Sequence, residues 1–73
     1  MIGQNQIVEF IKSDLLIKMA EGLNSEVHTT LDYAIQFGIK FGRDFLSSLL
    51  SAAITQGTDR LLVTRLRDLI RRT

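Results

Sequence analysis

The sequence predicts an all-α domain of three helices, a long central one flanked by two others, assembled with further copies into a helical bundle. Three observations point there. Apolar residues recur at helical spacing along most of the chain, without the alternation that marks strands between turn dipeptides. Proline is absent, and the five glycines fall where helices would end or cross. Hydrophobic residues make up 45% of only 73 positions and the mean hydropathy is +0.14, whereas a chain this short buries only about 60% of its unfolded surface. Domains of this size usually need a staple. With no cysteine and one histidine, neither disulfides nor a zinc site of three or four protein ligands is available. By elimination the staple is a partner, and the whole chain reads as one domain.

The first helix is expected from residue 4 to residue 22, with Gly3 or Asn5 near its cap and Gly22 as a left-handed terminator. Its main stripe is Ile7, Val8, Ile11, Leu15 and Met19, but Phe10, Leu16, Ile17 and Ala20 lie well outside it. A helix apolar on several sides is covered on several sides, so Phe10 and Ile17 are expected at a subunit interface.

A second helix is expected from residue 25 to residue 56. Leu31, Ile35, Gly38, Gly42, Phe45, Leu49 and Ala52 follow steps of four and three, a seven-residue period that keeps one seam toward a partner helix. The apolar arc spans about 220°, against the ~100° or more needed to cover one core. Each internal glycine costs about 1 kcal/mol, so Gly38 and Gly42 on the seam suggest either a close helix crossing or a space filled by a bulky Phe or Leu of a neighbour. Leu31, Ile35, Gly38, Gly42, Phe45 and Leu49 are therefore the expected oligomer interface. Asp32, Lys40, Arg43 and Asp44 interrupt the stretch, and the longest uncharged run, residues 45–58, contains three serines. Spanning a membrane takes about 20 mostly apolar residues, so a transmembrane segment is rejected.

The third helix, residues 59–72, is the most cleanly amphipathic, with Thr58 or Asp59 as cap and Gly57 ending the helix before it. Leu62, Val63, Leu66, Leu69 and Ile70 make an arc of about 120°, and Leu61 falls on the polar side. Arg60, Arg67 and Arg71 line one edge of the polar face, Arg65 and Arg72 the other. Arginine forks suit phosphate oxygens, and Arg60 to Arg71 spans about 16 Å of helix. Cations also suit a helix C-terminus without any ligand, and no aromatic residue is interleaved for base stacking. Residues 56–59 have the length of a helix–turn–helix turn. The helix that follows opens largely apolar, so reading of base edges is not expected.

Charge is uneven. Residues 1–36 carry two basic and five acidic side chains, net −3, while residues 37–73 carry seven and three, net +4. Such asymmetry suits head-to-tail assembly or an anionic partner.

These observations imply a small, non-enzymatic, self-assembling structural or adaptor protein, a component of a virion or another larger complex. The alternatives are phosphate-tracking nucleic-acid binding by the arginine helix of a dimer and peripheral membrane binding by its amphipathic face. No catalytic residue, metal ligand or cofactor is expected: Ser47, Ser48 and Ser51 have no neighbouring base in the sequence, and His28 stands alone. No secretory leader is evident, and the expected location is cytoplasmic or virion-internal.

Overall fold

The computed structural model describes residues 3–73, apart from the side chain of Gln4. It is all-helical, with four helices rather than three: α1 (Gln4–Ala20), α2 (Asn24–Gln36), α3 (Arg43–Thr55) and α4 (Arg60–Arg72). α1 packs on α2 and on α3, and α3 packs on α4.

The expected helix over residues 25–56 is α2 and α3, separated at Gly38. Gly38 has φ +80°, a left-handed conformation that L side chains adopt only with strain. Its N–H donates to the Ile35 carbonyl at 3.0 Å, and the Ile39 N–H donates to the Ala34 carbonyl at 3.0 Å. These two bonds form a Schellman C-cap and satisfy carbonyls that a helix end would orphan. The chain then runs without regular structure to Gly42, whose extended backbone (φ −68°, ψ 157°) caps α3. A Cβ added at Gly38 or Gly42 would meet nothing within 4 Å. Neither glycine therefore makes room for a helix crossing within the chain.

Gly22 and Gly57 repeat the device. In each case the glycine N–H reaches back three residues and the next N–H five, at 2.9–3.1 Å. At the start of α4, Asp59 is the cap, its carboxylate accepting from the Leu62 N–H at 2.8 Å. At α1 the Gly3 N–H donates to the Gln6 side chain at 3.1 Å.

One core joins all four helices. Leu15 and Met19 of α1, Val27, Leu31 and Ala34 of α2, Leu46, Leu49 and Ala53 of α3, and Leu62 and Leu66 of α4 are buried together with Phe41. The radius of gyration of 11.6 Å compares with about 11 Å for a compact chain of this length, so no element stands off the core. Among the described residues, no helix is long and apolar enough to cross a membrane.

Candidate interaction surfaces

α1 carries apolar residues all round, and the core takes only part of them. Leu15 and Met19 face inward, leaving Phe10 72% and Ile17 55% exposed on the opposite side. Phe10 and Ile17 are seven residues apart, two turns along one face. The two interface residues expected on α1 are thus uncovered by their own chain.

A second apolar surface lies between α1 and the end of α2. Tyr33 and Phe37, four residues apart, place their rings 5.1 Å apart at 39°, a tilted pair of the kind aromatic side chains favour. They are 62% and 71% exposed. Together with Ile11, Thr29, Thr30, Ala34 and Ile39 they line a mostly apolar groove of about 310 Å³. Sequence reasoning passed over Tyr33 and Phe37 as interface residues. The signal available was two aromatic residues at i, i+4 immediately before a terminating glycine.

The seam expected to bind a partner is dispersed. Leu31 and Leu49 are wholly buried inside the chain, so no partner touches them without unfolding. Phe45 is half-buried against Phe41, ring centroids 5.4 Å apart, with the Lys12 ammonium 5.5 Å from its centroid. Ile35 is partly exposed, beside Lys40 and Arg72 at the rim of a second groove. Gly38 and Gly42 lie at helix ends.

The five arginines of α4 divide in two. Arg65 is paired with Asp32 of α2 at 2.6 Å, and Arg72 with Asp68 at 3.1 Å. Among the described residues, Arg60, Arg67 and Arg71 make no ion pair, and all three are exposed along the other edge of the helix. Leu61 stands beside them, 77% exposed. Leu62 and Leu66 anchor the helix in the core on the opposite face.

His28 is half-buried, with Nε2 3.6 Å from the Asp59 carboxylate that caps α4. It links α2 to α4 rather than opening onto a cleft. Among the described residues, no three His, Cys, Asp or Glu side chains gather to hold a metal ion.

No family model, curated protein or solved structure matches this chain.

Proposed function

We propose that this chain is a small, non-enzymatic structural or adaptor module that works by associating with copies of itself. The observation that supports this is the location of its uncovered apolar surface. Among the described residues, eight of the ten exposed large hydrophobic side chains fall within residues 3–37. Scattered exposed apolar residues are ordinary, whereas contiguous apolar surface marks interaction sites. Here Phe10 and Ile17 share one face of α1, and Tyr33 and Phe37 line a groove between α1 and the end of α2.

The experiment is solution mass by light scattering across a dilution series, for the wild type and for Phe10→Ser/Ile17→Ser. The wild type is expected to be oligomeric and the variant monomeric with unchanged helical circular dichroism. A wild type that stays monomeric up to high micromolar concentration overturns the proposal.

A second function, contact with nucleic-acid phosphates, is favoured by the unpaired edge of Arg60, Arg67 and Arg71. Neutralising three phosphates would give affinity that falls with salt at a logarithmic slope of roughly −2 to −3.

A further inference from the structure

Of the eight acidic side chains, Asp14, Asp32 and Asp68 are held by basic partners at 2.6–3.1 Å. With these pairs set aside the asymmetry of the sequence remains, net −2 in residues 1–36 and +3 in residues 37–73, where Asp44 and Asp59 are the acids left. Glu9 keeps only a 3.5 Å contact with Lys12. Glu21 and Glu26 have no ion pair among the described residues, and no Lys or Arg occurs between Lys18 and Lys40. Among the described residues, the Lys and Arg side chains without an ion pair, Lys40, Arg43, Arg60, Arg67 and Arg71, all belong to the second half of the chain.

Two exposed helix faces carry these charges in matching form. On α1, Glu9 and Glu21 bracket Phe10 and Ile17 over about 18 Å at 1.5 Å per residue. On α4, Arg60, Arg67 and Arg71 line one edge of the polar face over about 16 Å, and Leu61 shares a shallow groove with Arg67, Arg71, Arg65 and Asp68, the last carboxylate already paired with Arg72. Both faces point away from the core that their own helices help to form, so one copy presents both at once. Arginine stems cover apolar surface while their guanidinium groups stay hydrated, and those groups stack on aromatic faces. Phe10 and Ile17 between carboxylates are suited to such side chains.

We propose that copies of this chain associate head to tail, the Glu9–Phe10–Ile17–Glu21 face of α1 on one copy against the arginine face of α4 on the next. This rests on the self-association proposed above and adds its geometry. A contact between two different faces of identical chains closes into a ring if the rotation allows and otherwise extends as a filament. A two-fold contact of α1 with α1 would instead bring Glu9 and Glu21 toward the same groups of a second copy.

The test uses two charge-reversed chains, Glu9→Lys/Glu21→Lys and Arg67→Glu/Arg71→Glu, with light scattering at a concentration at which the wild type is oligomeric. All four substituted residues are exposed, and circular dichroism checks that the helices persist. Arg67→Gln/Arg71→Gln serves as a milder second variant. Each reversed chain alone sets like charges against each other and is expected to associate at least about tenfold more weakly. Their equimolar mixture is expected to recover the wild-type mass, since every contact between unlike chains again joins opposite charges. An arginine variant that keeps the wild-type mass overturns the head-to-tail geometry while leaving self-association standing. A monomeric wild type overturns both. If that arginine variant keeps its mass but loses binding of a fluorescent single-stranded oligonucleotide, the α4 face belongs to nucleic acid and the proposal fails.

Discussion

The two helix pairs, α1–α2 and α3–α4, are closed by the same device and differ in what they leave uncovered. Gly22 ends α1 and Gly57 ends α3 with the same pair of backbone bonds. Yet Phe10, Ile17, Tyr33 and Phe37 of the first pair face outward, while among the described residues Ile54 and Leu61 are the only large hydrophobic side chains exposed in the second. The pattern around each helix explains the difference. α4 concentrates Leu62, Leu66 and Leu69 on one side and arginines on the other, so docking on a single core completes it. α1 distributes its apolar residues around the axis, so the same core satisfies only part of it. Local closure and surface completion are separate properties, and the first pair has one without the other.

The strongest way to break this contrast is truncation on each side of it. Leu66→Ala in α4 removes a fully buried side chain and is expected to lower stability by about 2–5 kcal/mol. In a domain of this size that moves the melting temperature by roughly 4–8 °C per kcal/mol, enough to threaten folding. Phe10→Ala in α1 removes a larger side chain that is mostly in water, and its expected effect is within about 0.5 kcal/mol. Urea unfolding below the association concentration measures both. Equal losses would mean that Phe10 is covered by its own chain and that the two pairs are equally complete.

A smaller effect, distinguished by its sign, concerns the link between the pairs. In a continuous helix Gly38→Ala would stabilise by about 1 kcal/mol. At φ +80° it forces a side chain into the left-handed region and is expected to destabilise by about 1–2 kcal/mol. Gly42→Ser, at an N-cap, is expected to gain a few tenths of a kcal/mol from a new side-chain acceptor. Thermal unfolding of the two single variants reads both signs. Stabilisation by Gly38→Ala would restore the single long helix.

Gly38 also shows where the sequence was legible and where it was not. α1 and α4 could be located within two residues, because Gly22, Gly57 and Asp59 mark their boundaries with residue types whose chemistry suits little else there. Leu62 and Leu66 could be placed in the core from spacing alone. Gly38 carries the same signal as Gly22, an apolar helix before it and an apolar residue after it, here Ile39, which packs on the core. Its signal was masked because steps of four and three continue in register through Gly42 to Phe45 and Leu49. Two helices that bury adjacent faces in one core can imitate a single seam when the link between them is short and itself apolar. Leu31 and Leu49 were consequently assigned to a partner although their own chain buries them. Phe10 and Ile17 were separable from the core because α1 has no break to confuse its periodicity. The aromatic groove was not legible, since whether Tyr33 and Phe37 are covered depends on where the chain turns after Gly38.

A coupling between two side chains, also small, tests how the two pairs are held together. α2 and α4 meet through polar side chains at their exposed edges, Asp32 with Arg65 at 2.6 Å and His28 with Asp59 at 3.6 Å. Asp32 and Arg65 are about half exposed, so water and salt screen their attraction and ordering two side chains opposes it. A double-mutant cycle of Asp32→Ala and Arg65→Ala is expected to give a coupling of about 0.2–1 kcal/mol at low salt, falling as ionic strength rises. That is several times less than the loss expected from Leu66→Ala, so the shared core, in which α1 packs on α3 and Leu15, Met19, Leu46 and Leu49 are buried together, supplies most of the adhesion between the pairs. The ion pair then chiefly fixes how α4 is rotated, with Arg65 turned toward α2 and Arg67 and Arg71 left facing outward. A coupling above about 2 kcal/mol would assign the adhesion to the polar edge instead. It would also predict that salt alone loosens the second pair from the first, a separation that resistance to proteolysis at increasing ionic strength would reveal.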